Sequence, residues 1–381
     1  MSTEQIFTRA RIVLADRVLP HGTVVLHDGV IADVASEPSR APGAQDCGGD
    51  WLLPGLVEVH TDGLERHVMP RPKVSFPMQA AVQAHDAEIA AAGITTVLDA
   101  IGVGDPYGDG FRSHDQSALL DVLDGIEAAG LLRADHRIHV RCELPAGNAR
   151  ALFEPFSGHS RLLLISLMDH TPGQRQWSQI EQARVYYTGK KGWSDEQFQR
   201  EVQIAPERQA RHAAPNRAWF IQFARRHGVV LATHDDTTPE HVDEAVAAGA
   251  AISEFPTTLE AARHAKRVGL STVMGAPNVV RGGSHSGNVA AITLAREGLL
   301  DALSSDYVPA SLLQAAWSLM RDAGFTAPEA MGVVSLNPAR ACGLHDRGQI
   351  AVGLRGDLVR VRELNGLPVV HEVRRGGRRV A

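Results

Sequence analysis

The chain is predicted to be an α/β protein: a parallel (β/α)8 barrel carrying a small β-sandwich domain built from both chain ends. Three observations support that expectation. Eight short apolar segments between residues 56 and 307 alternate with polar loops and amphipathic stretches. The two ends of the chain read instead as short strands joined by Gly turns. Nearly every barrel segment also terminates in His, Asp or Glu, and barrels of this kind keep their chemistry at the C-terminal ends of the strands. An open, doubly wound sheet is the structural alternative.

The elements follow in order. QIFTRARIVLA and RVLPHGTVVLHDGVIADVA are strands, with PHG and HDG as turn chemistry, and SEPSRAPGAQDCGGD is a linker rich in Pro, Gly and polar residues. Residues 1–50 and 345–381 are assigned to the β-domain and 51–344 to the barrel. The barrel strands are placed at 56–62, 95–100, 137–143, 162–170, 229–236, 250–257, 272–278 and 302–307. Between them MQAAVQAHDAEIAAAG, QSALLDVLDGIEAAG and PEHVDEAVAAG repeat apolar residues at three and four, with Gly closing each helix. The stretch 174–211 exceeds an ordinary βα loop; a helix from Asp195 is expected in it, serving as a lid or a subunit interface.

The 381 residues are 44% hydrophobic and 22% charged, with a net charge of −6. Nothing global therefore favours nucleic acid or an anionic membrane, and any anion site must be a local gathering of Lys and Arg. Cys47, Cys142 and Cys342 lack CxxC spacing, so no disulfide framework is expected and a reducing, cytoplasmic setting is. MSTEQIF does not read as a signal peptide, and no apolar run is long enough to span a bilayer. A homodimer is the default assembly.

GLVEVHTDGLERHVMPRPKV poses the functional question. His60 and Asp62 stand two residues apart at a strand end, so both point to one face. Later strand ends add Asp99, Glu143, Asp169, His170, His234, Asp235, Asp236, Glu254 and Asp306. Imidazoles with carboxylates suit Zn2+, Mn2+ or Fe2+, and His60 and Asp62 read as the first two ligands of a metal centre. For Asp99 the competing role is a loop cap, and for Asp236 the N-cap of the helix beginning at PEHVDEA.

The same residues carry a resemblance. HTD, GITTVLDA, SSDY and the tail SLNPARACGLHDRGQIAVGLRGDLVRV resemble the amidohydrolase superfamily. LPGLVEVHTDGLERHVMPRPKV, AHDAEIAAAGITTVLDA, SLMDHTPGQRQ, YYTGKKGWSD, THDDTT and NVVRGGSHSGNVAA together resemble the PhnM family, the α-D-ribose 1-methylphosphonate 5-triphosphate diphosphatases of the carbon–phosphorus lyase pathway. The resemblance implies one or two divalent ions, Zn2+ before Mn2+ or Fe2+. It implies that they are held by His60, Asp62, Glu143, His170, His234 and Asp306, with Glu143 as bridging carboxylate and Asp306 as general base. It also implies hydrolysis of a small anionic phosphorylated sugar with release of pyrophosphate. Arg66, Arg71, Lys190, Arg281 and His285 are the expected substrate contacts, helped by His67, Lys73, Arg175, Lys191 and an anion nest in GGSHSGN before the helix NVAAITLAREG. Three positions depart from the pattern: Glu254 replaces a sixth-strand His, Met168-Asp169-His170 replaces a bridging lysine, and Gly63 follows HTD where Asn is expected. The alternative is a cyclic amidase, deacetylase or deaminase on the same scaffold. A metal-free interaction scaffold would have substituted the ligand positions.

Overall fold

A computed structural model describes residues 4–71, 74–105, 116–190, 192–284 and 287–381, with the side chains of Ser117 and Lys190 left aside. The first strands are β1 (Glu4–Val13), β2 (Val18–His27), β3 (Val30–Ala35), β4 (Gln45–Asp46) and β5 (Trp51–Pro54). The barrel strands are β6 (Leu56–Thr61), β7 (Ile94–Val103), β8 (Asp135–Glu143), β9 (Leu162–Met168), β10 (Val230–His234), β11 (Ile252–Glu254), β12 (Ser271–Gly275) and β13 (Ala302–Ser304). The chain ends with β14 (Leu358–Leu364), β15 (Leu367–Arg375) and β16 (Arg378–Arg379).

Strands β6 to β13 pair in sequence order, every neighbour parallel. Val59, Leu98, Leu164, Ala232, Ile252, Val273 and Ala302, one from each of seven strands, pack into a buried core with Cys342. Such a stack of inward apolar side chains fills a parallel barrel. The second sheet runs β16-β15-β14-β5-β1-β2-β3, with β4 beside β1, so both chain ends build it. Phe7, Ile12, Leu26, Ile31, Leu52 and Leu358 form its own core, while Leu53, Val359, Val361 and Val373 pack with Leu56, Ile94 and Trp317 of the barrel unit.

All eight expected strands are present, but β11, β12 and β13 are shorter than predicted. At Phe255 the backbone turns to φ 54°, and at Ala276-Pro277 a helix begins with proline in its first turn, the position where the missing N–H costs nothing. The helix expected from Asp195 runs to His227. Ser194 Oγ accepts from Gln197 N at 3.1 Å and Gln197 Oε1 from Ser194 N at 2.7 Å, a reciprocal cap. Gly228, at φ 66°, ends it. Gln209 Nε2 donates to Asp169 Oδ2 at 2.6 Å and ties this helix to the loop after β9. Among the described residues no helix is long and apolar enough to cross a membrane. The three cysteines are free and buried.

The barrel closes at its functional rim. β6 meets the segment just after β13 through a parallel bridge between Thr61 and Asp306, with Asp62 N to Asp306 O at 2.9 Å and Asp306 N to His60 O at 3.1 Å. Deeper in the seam, Glu58 replaces ladder bonds: its Oε1 accepts from His60 N at 2.6 Å and its Oε2 from Ser305 N at 2.5 Å. Burial leads the forces on this carboxyl and pushes it up to about 7. The β6–β7 register is irregular between Glu58 and Thr61, the kind of break that re-aims side chains beside active sites.

Candidate metal centre

Glu254, the last residue of β11, is fully buried and holds two imidazoles at once. His60 Nδ1 lies 2.7 Å from its Oε1, and His234 Nδ1 lies 2.7 Å from its Oε2. Burial opposes the charge of this carboxylate, yet His60 and His234 keep it well below the usual range. The two rings stack at 5.8 Å between centroids with 20° between planes, and Phe255 meets both edge-on. With each Nδ1 occupied, each Nε2 is the nitrogen left to bind a ligand. His170 follows the same logic: its Nδ1 lies 2.5 Å from Glu143 Oε2, and its backbone N donates to Glu143 Oε1 at 2.9 Å.

The Nε2 atoms then meet carboxylates at a longer spacing. His60 Nε2 is 3.8 Å from Asp62 Oδ1, His170 Nε2 is 3.9 Å from Asp235 Oδ2, and His234 Nε2 is 3.5 Å from the same oxygen. Among the described residues four groups of potential ligand atoms lie within 4.8 Å of one another, and two of them gather these Nε2 atoms and carboxylates: His60, Asp62, Asp306, and His170, His234, Asp235. Donors about 2.1 Å from one tetrahedral ion stand about 3.4 Å apart, so contacts of this length suit a shared cation better than a direct hydrogen bond. The donor set therefore fits a divalent ion of the kind that the resemblance implies.

Backbone strain gathers at the same rim. Among the described residues, seven that are not glycine have positive φ, and Arg175, Asp235, Phe255 and Asp306 are four of them. Such conformations cost energy and persist where surrounding structure enforces them, often at functional sites.

The expected ligands converge as follows. His60, Asp62, His170, His234 and Asp306 enter the two donor sets, whereas Glu143 stands behind His170 and orients it. Asp235, named only as a strand-end residue, joins His170 and His234. Asp99 points away, bonded at 2.7 Å to both His85 and His136. Asp236 is no helix cap, because Thr238 caps that helix; Asp236 accepts from Thr233, Ser253 and Arg175 instead. His139 lies beside Glu254 but uses both ring nitrogens, on Val59 O at 3.0 Å and Ser166 Oγ at 2.9 Å. Burial pushes it down to about 3, a neutral strut.

The expected substrate contacts are more scattered. Arg66 is half-exposed and pairs with Glu88 at 2.5 Å, as does His67 at 2.8 Å. Arg71 and Arg281 are exposed. Arg175 is buried and braces the end of β10 through His234 O at 3.2 Å and Asp236 Oδ1 at 2.8 Å. Lys73, Lys191 and His285 lie outside the described residues, as do the side chain of Lys190 and part of the expected nest in GGSHSGN; the helix after it starts only at Ala291. Sequence reasoning passed over Arg141, two residues before Glu143 on β8 and so on the same face. Its Nη1 donates to Asp62 Oδ1 at 2.8 Å and Oδ2 at 3.1 Å. The i, i+2 signal that singled out His60 and Asp62 was available in RCE as well.

Comparison with known proteins agrees with this geometry. A model of the amidohydrolase family matches residues 51–380. The α-D-ribose 1-methylphosphonate 5-triphosphate diphosphatase of Escherichia coli is 45% identical over 376 residues, 98% of this chain and 99% of that one. Solved structures share the fold at low identity. N-acetyl-D-glucosamine-6-phosphate deacetylase from Mycobacterium smegmatis gives a TM-score of 0.65 at 17% identity, covering 99% of this chain and 100% of that one. Molinate hydrolase gives 0.69 at 14%, covering 99% and 94%. The chain belongs to the amidohydrolase family, and within it to the group that contains the Escherichia coli diphosphatase.

Proposed function

We propose that this chain hydrolyses the triphosphate of α-D-ribose 1-methylphosphonate 5-triphosphate, releasing pyrophosphate and leaving the 5-phosphate. The observation that carries this reading is identity of 45% across essentially the whole of both chains, with the strand-end donors in place. Divalent ions, Zn2+ first and Mn2+ or Fe2+ as alternatives, would be held by His60, Asp62 and Asp306 and by His170, His234 and Asp235, supplying Lewis-acid polarisation of a phosphoryl oxygen and a more acidic water.

The chain's own residues supply the rest. Glu254 and Glu143 fix three imidazoles so that Nε2 faces the site. Asp306 is the base: its carboxylate takes the proton of the attacking water as the new P–O bond forms. The phosphoanhydride P–O bond breaks and pyrophosphate leaves with the bonding pair. Arg71, Lys190, Arg281 and His285 are assigned to the polyanion's charge, with Arg66 joining them once it exchanges Glu88 for phosphate.

Incubating the metal-loaded enzyme with this triphosphate and separating the products by ion chromatography tests the reading. Pyrophosphate and the 5-phosphate in equal amounts are expected. Stepwise release of single phosphates, or ammonia or acetate from cyclic amides or N-acetyl sugars with the triphosphate untouched, would replace it.

A further inference from the structure

Arg141 is a guanidinium set inside a nest of carboxylates. Only 6% of the residue is exposed, and it lies on β8 with its charge directed at the rim. Burial works against that charge, but Asp62, Glu254 and Asp306 together more than offset it, so the group stays cationic. Its hydrogen bonds are lopsided. Nη1 serves both oxygens of Asp62, while Nε is buried and without a partner. The edge formed by Nε–H and the adjacent Nη2–H makes no hydrogen bond to any described residue.

That edge is the part of a guanidinium that grips a tetrahedral oxyanion with two parallel N–H···O bonds. A buried donor with no acceptor costs about 1–3 kcal/mol. Such a cost persists where a ligand supplies the acceptor. Asp62 anchors the other side of the guanidinium and fixes the plane in which the open edge lies. The exposed cations of the rim, Arg71 and Arg281, have no comparable placement: they stand in loop or helix-end positions open to water.

We infer that Arg141 is a substrate-binding residue whose Nε–Nη2 edge clamps a phosphoryl group of the polyphosphate next to the Asp62 side of the metal centre. This rests on the triphosphate reading above and deepens it by assigning the buried cation that a phosphoanhydride requires and a neutral amide does not. As the transferred phosphoryl group gains charge, two charge-assisted hydrogen bonds from a fixed, water-poor position strengthen.

The test uses the full-length, metal-loaded chain and the variants Arg141→Gln and Arg141→Lys. Two readouts are taken: binding of inorganic tripolyphosphate by calorimetry, and kcat and KM for pyrophosphate release. Metal content is measured alongside. Arg141→Gln is expected to keep its metal yet bind tripolyphosphate at least ~10-fold more weakly and lose ~100-fold in kcat/KM, the range of a lost charge-assisted pair. Arg141→Lys keeps the charge without the fork and should recover only part of both; it also stands in if Arg141→Gln fails to fold. Unchanged tripolyphosphate binding in a folded variant with full metal content would overturn the inference. So would loss of metal with restored binding on adding excess metal, which would make Arg141 a positioning residue for Asp62. If the wild type binds tripolyphosphate through Arg141 but does not cleave the sugar triphosphate, the substrate reading fails and the phosphate clamp stands.

Discussion

Glu254 carries the heaviest duty of any single residue, because one carboxylate sets the tautomer of two imidazoles from different strands. A carboxamide can accept from only one of them and presents an N–H2 to the other. Glu254→Gln should therefore weaken zinc binding ~10–100-fold, the usual cost of losing the partner behind a metal-binding His. A competitive chelator titration reads this directly, and an unchanged affinity would mean that His60 and His234 do not present Nε2 to an ion. Asp306 sits at the other extreme, with its work in chemistry rather than packing. Its side chain is partly exposed, and its backbone makes the seam contacts with His60 and Asp62. Asp306→Asn should lower turnover by ~10²–10⁴-fold, the range for a lost general base. Compared in the metal-free state, its thermal midpoint should stay near that of the wild type, since the seam contacts come from the backbone.

Elements place these residues, and two buried carboxylates show how. In the β6–β13 seam, Glu58 accepts from His60 N and Ser305 N, joining the strand that carries His60 and Asp62 to the segment that carries Asp306. Glu58→Gln turns one acceptor into a donor facing an N–H, a mismatch expected to cost about 1–3 kcal/mol in denaturant unfolding. No change would show that the seam does not depend on Glu58. Between the barrel wall and the helix Met78–Ala91, His136 lies between Asp99 at 2.7 Å and Asp86 at 3.2 Å. Burial opposes its charge, but those two carboxylates prevail and push His136 up to about 9, above its ordinary 6.5. Asp99 is in turn held below its ordinary 3.8, burial opposing and His136 and His85 prevailing.

The sign of the linkage follows. The His136 contribution is fully present below pH ~6.5 and fades as pH rises through ~9, while the Asp99 contribution is present above pH ~3.8 and is lost on further acidification. Replacing His136 by Asn should cost ~3–5 kcal/mol at pH 6, as for breaking a buried ion pair. The gap from wild type should narrow by pH 9.5, and an equal gap at both values would contradict a charged His136. These two cases also mark what sequence could reveal. Seven of the eight strand ends were legible because short apolar runs stop at titratable residues. Whether a strand-end carboxylate faces the rim or the helices was not, because one residue of register, or one bulge, exchanges the two. Asp99 is no strand end, because β7 runs on to Val103, and it pairs with His85 of the helix Met78–Ala91 instead; Glu254 and Asp235 proved more central than their neighbours in sequence suggested.

At the scale of the whole molecule, residues from position 60 to position 306 form a single rim because the parallel barrel closes, and it closes at His60, Asp62 and Asp306 themselves. Fold and site are thus coupled: an ion held by His60, Asp62 and Asp306 would join the first and last barrel strands. Since a ligand that binds only the folded state raises stability by mass action, metal removal should lower the thermal midpoint, and re-addition should restore it. The most direct test is elemental analysis of the purified chain after exhaustive dialysis, beside a His60→Ala, His234→Ala double variant. The wild type should retain between one and two divalent ions per chain and the variant far fewer, with turnover following the metal. A wild type that dialyses free of metal and still releases pyrophosphate at full rate would contradict the account.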